Sequence, residues 1–339
     1  MTGKNISGDR VLNRRLLLIW IIVLAALLYG CNAEKTKVYR VGILVGFIPF
    51  FSVANEFKAE MENLGYVEGE NIFYDLQKVN VDPPGERRAI EKFVADKVDL
   101  IFAFPTAATV TAKEASQGSN IPVVFAMAGL EGNNLVESVR HPGGYITGVR
   151  YPGPDLTLKR LEFLQMLTPN LKRLYITYNP SYPANKIPLS TLRQTVLSLG
   201  VTLVEVPATS VEDIQADLQA RADAKDIGMD AIMIMPDDIS QSSAGWKVIR
   251  TFAMRFKVPV SGASGVTAHN GAVFSYGPDL AEAGRLAAPV ADKILKGSPA
   301  GTIPVVTPEA YLRLNYKLAQ ELGLTVPEDL LHLAKEIIR

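Results

Sequence analysis

Short apolar runs rich in β-branched residues alternate along this chain with stretches whose apolar residues recur every three or four positions. Runs at 39–45, 71–76, 98–103 and 122–126 have the length and make-up of buried strands. Between them Val53, Phe57, Met61 and Leu64 fall at helical spacing, with Gly65 to close the helix. A second helix over 84–96 carries Ile90, Phe93 and Val94 on one face, and a third opens at Pro105-Thr106 and runs through Ala112 and Ala115. Pro142-Gly143-Gly144 and Pro152-Gly153-Pro154 then bracket a short strand at 146–149. The alternation restarts with a helix over 156–167, stopped by Pro169, and strands at 171–178, 202–206, 231–235 and 258–260. Helices over 189–199, 214–222 and 244–256 separate those strands, and Ser210 is placed to cap the second of them. Strands and helices of these lengths in strict alternation predict right-handed βαβ units on parallel sheets. The fold class is therefore α/β, with two similar Rossmann-like lobes.

The end of the chain does not extend the second lobe simply. A strand at 272–277 runs into a glycine turn, a helix covers 280–295, 304–308 is extended, and 315–322 and 328–338 are helical. The segment 303–312 is placed to carry the chain back from the second lobe to the first. Several crossings between lobes predict a hinge rather than a loose linker. The expected organisation is an N-terminal lobe over 38–150, a C-terminal lobe over 151–302 with its first helix and the strand near 270–278 at the hinge, and a return crossing with C-terminal helices over 303–339.

One stretch fits neither lobe. Residues 16–31 are an apolar run preceded by Arg14 and Arg15 and ended by Gly30-Cys31, the pattern of a secretory signal. Gly30 followed at once by the chain's single cysteine resembles the lipobox of bacterial lipoproteins, in which cleavage before the cysteine leaves it as a lipid carrier. That resemblance implies a signal over 1–31, lipidation at Cys31, a tether over 32–37, and a folded part on the outer side of the cytoplasmic membrane or in the periplasm. The competing reading is an uncleaved anchor, for which the core is short against the roughly 20 apolar residues of a spanning helix. With no second cysteine the fold has no disulfide to rely on. Lys and Arg number 35 and so do Asp and Glu, so no basic excess points to nucleic acid.

The usual catalytic constellations are missing from the sequence. His141, His269 and His332 lie far apart, none at metal-ligand spacing, and no nucleophile elbow, phosphate loop or dinucleotide fingerprint is present. The chain is read as a binding protein without enzymatic activity, metal or cofactor. Candidate chemistry lies in loops after strand ends, where open α/β sheets hold ligands. The first, Phe47 with Pro49, Phe50, Phe51 and Ser52, offers aromatic rings to a ligand or packs the loop onto its helix. Thr106 and Ala107 open a helix, whose hydroxyl and free N–H groups suit a carboxylate; a plain cap is the alternative. Met127 lies in a loop of small residues, and Asn179 and Ser264 follow strands of the second half. Asp237 and Asp238 follow a very apolar strand; one suits a ligand ammonium in a partly desolvated cleft and the other a helix cap. Tyr276 ends a strand at the lobe junction or packs in the core.

Several segments taken together resemble the bacterial ABC-transporter substrate-binding proteins of the tryptophan/tyrosine-type group. They are Leu64-Gly65-Tyr66-Val67-Glu68-Gly69-Glu70-Asn71-Ile72, Ile121-Pro122-Val123-Val124-Phe125-Ala126, His141-Pro142-Gly143-Gly144-Tyr145-Ile146-Thr147-Gly148-Val149, Phe274-Ser275-Tyr276-Gly277, Ala291-Asp292-Lys293-Ile294-Leu295-Lys296-Gly297 and Leu322-Gly323-Leu324-Thr325-Val326-Pro327. The resemblance implies a type I periplasmic-binding fold, two lobes joined by three crossings, with a small ligand in the cleft. It also implies delivery to a membrane permease driven by a separate ATPase. An amino acid or similar small organic solute, aromatic ones included, is the expected ligand and a monomer the expected state; a sensory subunit for a membrane receptor or kinase is the rival role. Two departures from the family pattern fall in strand-end loops: Phe104 stands where a glycine is common, and Ala128-Gly129-Leu130-Glu131-Gly132 replaces a Gly-Asp-Pro-Val-like loop.

Overall fold

The structure, a computed structural model, describes residues 37–339. The signal-like run, Cys31 and most of the expected tether lie outside the described residues. Residues 39–339 form one compact unit, built on two sheets.

The first sheet has the order β2-β1-β3-β4-β5 and is parallel throughout. Its strands are β1 (Tyr39–Val45), β2 (Ile72–Lys78), β3 (Leu100–Phe104), β4 (Val123–Ala128) and β5 (Ile146–Arg150). Strands β3 and β4 are buried along their whole length, which is why their sequences run apolar without alternation. Helices α1 (Ser52–Asn63), α2 (Pro83–Ala95) and α3 (Thr106–Ala115) connect them. On one face of the sheet Phe57 of α1 stacks on Phe102 of β3, ring centroids 4.2 Å apart. On the other, Ile90 and Phe93 of α2 join Ile101 and Phe125.

The second sheet has the order β12-β11-β10-β9-β8-β6-β7. It comprises β6 (Arg173–Tyr178), β7 (Thr202–Pro207), β8 (Ala231–Met233), β9 (Val260–Gly262), β10 (Phe274–Gly277), β11 (Tyr311–Asn315) and β12 (Ala334–Ile338), with helices α4 (Gly153–Leu167), α5 (Lys186–Ser198), α6 (Val211–Ala222) and α7 (Ser243–Phe256). The start of α6 is a full capping box: Ser210 accepts from the Asp213 amide, and the Asp213 carboxylate accepts from the Ser210 amide. Ser210→Ala is expected to lower stability by about 1 kcal/mol, measured by urea unfolding; an unchanged midpoint would show that the cap contributes nothing.

Three features depart from the sequence reading. First, α8 (Leu280–Leu295) belongs to the first lobe, not to a C-terminal lobe extending to 302: Ala283, Ala287 and Ala291 pack with Phe57 and Met61 of α1. An amphipathic pattern reports that a face is buried but not which lobe buries it. The segment 303–312 accordingly runs opposite to expectation, out of the first lobe: Val306 lies along β5, with its amide on the Gly148 carbonyl at 2.8 Å, and the chain then enters β11. Second, the second sheet is not wholly parallel, since β11 runs antiparallel to β10. Third, the helix expected over 328–338 stops early as α10 (Glu328–Leu333), after the short α9 (Tyr316–Glu321), and 334–338 forms β12. The open edge of β11 takes it up in parallel register, Leu314 opposite Ile337; such an edge outcompetes helix propensity in a short segment.

The chain thus passes between lobes three times: after β5 into α4, after β10 into α8, and after Val306 into β11. The result is two α/β lobes with mostly parallel sheets, joined by three crossings, whose strand-end loops face each other.

Candidate ligand cleft between the lobes

The carboxyl ends of the strands converge on a narrow cavity between the lobes, about 20 Å3 in volume, room for little more than one water molecule until the lobes part. After β1 a short 3-10 turn, Ile48–Phe50, sets the Phe47 and Phe50 rings edge to face, 5.3 Å apart. After β3, Pro105 follows a cis peptide bond and Thr106 begins α3. Thr106 is the first helical residue rather than the cap. Its Oγ1 accepts from the Gly129 amide at 3.0 Å, which ties the β3 and β4 loops together, while the hydroxyl hydrogen and the first-turn amides of α3 remain available as donors. Met127 holds a left-handed backbone, φ 54°, a conformation that a non-glycine residue keeps only where its surroundings impose it. Tyr151 comes from the first crossing, and Tyr182, Ala184, Pro236, Asp237, Gln241 and Ser264 from the second lobe. Phe47, Thr106, Met127 and Asp237 are each no more than 3 % exposed, so the two lobes are closed on each other.

Of the residues singled out from sequence, Phe47, Phe50, Thr106, Met127, Asp237 and Ser264 line this one cavity. The others sit elsewhere. Phe51 packs against the first lobe's core with Lys78 Nζ 3.8 Å from its ring centre. Ser52 faces a separate groove beside Asp279 and Arg313. Ala107 lies in the first turn of α3 without lining the cavity. Asn179 donates from Nδ2 to Asp238 Oδ1 at 2.9 Å, so these two residues occupy each other. Tyr276 meets Phe163 edge to face at 5.2 Å. Neither aspartate caps α7, as one was expected to: Ser242 does, accepting from the Gly245 amide. Pro105, Tyr182 and Pro236 sit in the same strand-end loops as the chosen residues. Tyr151, Ala184 and Gln241 have no local signal; Gln241 is recruited because its side chain braces the Met235 carbonyl and the Gly265 amide.

Asp237 is the most telling group. Its Oδ1 accepts from the amides of Ile239 and Ser240, at 2.8 and 2.7 Å. Its Oδ2 is buried and has no partner. Burial, with the neighbouring Asp238 adding to it, pushes its carboxyl up to about 7 against the Ser240 and Ile239 amides and the Ser240 hydroxyl, which oppose the shift. Burial also raises Asp238, although Asn179 partly offsets this. From the first lobe Glu86, 2 % exposed and accepting from Thr111 Oγ1 at 2.9 Å, is pushed up to about 7 by burial, with Asp82 and Asp238 contributing. Among the described residues no basic side chain forms an ion pair with any of these three carboxylates.

A pH dependence follows from the sign of these shifts. An acid whose folded pKa lies above its unfolded value binds more protons in the folded state, so stability falls as pH rises between the two values. Asp237 and Glu86 therefore predict that the ligand-free protein melts at a lower temperature at pH 8 than at pH 5.5. The double variant Glu86→Gln/Asp237→Asn is expected to flatten that slope; an unchanged slope would place the titrating groups elsewhere.

A family model described as ABC transporter substrate binding protein matches residues 52–338. A tyrosine-binding protein of Clostridioides difficile (strain R20291) is 27 % identical over 278 residues, 81 % of this chain and 77 % of that protein. Among solved structures, a conserved domain protein from Vibrio cholerae superposes with a TM-score of 0.77 at 26 % identity, covering 89 % of this chain and all of the other. A Streptococcus pneumoniae ABC domain in complex with L-Trp gives the same TM-score, 0.77, at 23 % identity and the same coverage, a likeness of fold.

Proposed function

We propose, because this chain belongs to the ABC transporter substrate-binding protein family, that its interlobe cleft captures an aromatic amino acid and delivers it to a membrane permease. The observation that carries this reading is the unpartnered Oδ2 of Asp237, buried at a cavity walled by aromatic rings. A ligand ammonium supplies the missing partner, and a charge-assisted hydrogen bond in so dry a place is far stronger than one in water. The ligand's ring lies among Phe47, Phe50 and Tyr182. The Thr106 hydroxyl and the first-turn amides of α3 face its carboxylate. A relative that binds tyrosine and a fold-mate that holds L-Trp support the same ligand class.

Capture proceeds by closure of the lobes about the three crossings, a shift of population from open to closed that the ligand drives by touching both lobes. Lipid on Cys31 holds the protein on the outer side of the membrane, near the permease. Mass spectrometry of protein purified without denaturation tests the ligand class. One equivalent of tyrosine, tryptophan or phenylalanine is the expected cargo; a retained sugar or polyol would overturn the assignment.

A further inference from the structure

Arg160 is a fully buried cation that the cleft as described so far does not use. It lies on α4, the helix entered directly from the first crossing, and is 0 % exposed. All its hydrogen-bond partners are neutral oxygens. Nε donates to the Leu156 carbonyl at 3.1 Å, Nη1 to the Ile234 carbonyl at 3.0 Å, and Nη2 to Tyr151 Oη at 3.1 Å and more distantly to Thr157 Oγ1 at 3.5 Å. A guanidinium cannot shed its charge in a protein. Keeping it dry with no counter-anion is costly, so a bare packing role is poor value for such a residue.

Its two distant partners both lead to the cavity. Tyr151 lines it from the first crossing. Ile234 directly follows β8 and stands three residues before Asp237. Arg160 therefore fixes the Tyr151 ring relative to the loop that carries the unpartnered carboxylate. It also fixes the direction of a proton. Because Tyr151 Oη accepts from Arg160, its own O–H hydrogen must be donated elsewhere, and it donates to none of the described residues. A hydroxyl that accepts from a cation is polarised into a stronger donor.

We propose that Arg160 is a positioning residue for capture: it holds Tyr151 as a donor to the ligand's carboxylate and supplies that carboxylate's counter-charge, so the cleft prefers an amino acid to the corresponding amine. The proposal rests on the amino-acid reading above. It adds the Arg160–Tyr151 pair to Thr106 and the first-turn amides of α3 at the carboxylate pole, with Asp237 as the ammonium pole.

Calorimetry with two matched pairs, tyrosine against tyramine and tryptophan against tryptamine, tests it on the full-length protein. The wild type is expected to favour the amino acid of at least one pair. Tyr151→Phe, which keeps the ring, should weaken amino-acid binding about tenfold or more, the worth of a hydrogen bond to a charged group, and weaken amine binding far less. Arg160→Met should do the same and Arg160→Lys should restore part of the loss; if Arg160→Met fails to fold, the Tyr151→Phe contrast decides alone. Equal losses for acid and amine would reduce Arg160 to a structural role and overturn the proposal, as would no loss at all. A wild type that binds amines as tightly as amino acids overturns the proposal but leaves the Asp237 pole standing. A wild type that binds neither overturns the amino-acid reading itself.

Discussion

Asp237→Asn is expected to weaken aromatic amino-acid binding by roughly thirtyfold to several thousandfold, the range for removing one partner of a buried charge pair. The substitution is a narrow one. Asparagine keeps an oxygen where Oδ1 accepts from the Ile239 and Ser240 amides, so the turn that shapes the loop survives. What changes is the atom in the place of Oδ2, the buried oxygen without a partner. There an amide NH2 would face the ligand ammonium, donor against donor. In the ligand-free protein the same change removes a buried carboxylate whose titration is pushed up to about 7. Asp237→Asn should therefore be no less stable than the wild type at pH 8 while binding far more weakly. Calorimetry and thermal melting on the same samples check both. Wild-type affinity in a folded Asp237→Asn protein would remove this residue from the ammonium site.

The second large effect is on the first lobe. Gly284 lies where α8 crosses α1, and a Cβ built there meets the Val53 carbonyl oxygen at 2.3 Å and the Phe57 amide nitrogen at 3.0 Å. Both neighbours are backbone, so no rotamer change relieves the clash, and the helices must separate. Separation would also strain links that fasten α8 to its lobe, among them Arg285 on Glu56 at 2.6 Å and the Tyr66 hydroxyl on Asp292 at 2.9 Å. Gly284→Val is expected to cost about 3 kcal/mol, the upper part of the usual overpacking range, seen as a lower urea midpoint. Hydrogen exchange should quicken in α1 and the strands beneath it before it does in α4 or α6. Uniform quickening across both lobes would contradict the assignment of α8 to the first lobe.

The lobes themselves were legible in the chain because their central strands are buried on both faces. Such strands read as unbroken apolar runs, and β1 and β3 stand where those runs fall. What pattern could not supply was partnership. The face of α8 is apolar whichever lobe receives it, and the segment that forms β12 is apolar enough for a helix until the free edge of β11 is known. The cleft divides in the same way. Residues next to strand ends, such as Phe50, Thr106 and Asp237, were open to inference because strand ends of α/β sheets converge. The roles of Asp238 and Tyr151 were not, because Asn179, 59 residues from Asp238, and Arg160, on the helix that follows Tyr151, determine where those side chains are tied.

The central claim is that the interlobe cleft serves to capture an amino acid with an aromatic side chain. Calorimetry of protein stripped of endogenous ligand, titrated with each of the common amino acids at pH 7.5, tests it most directly. The account predicts saturable binding at one site per chain for tyrosine, tryptophan or phenylalanine, and much weaker or no binding for the aliphatic and charged ones. Heat-silent titrations for all three aromatics, or tighter binding of an aliphatic or charged amino acid, would contradict it.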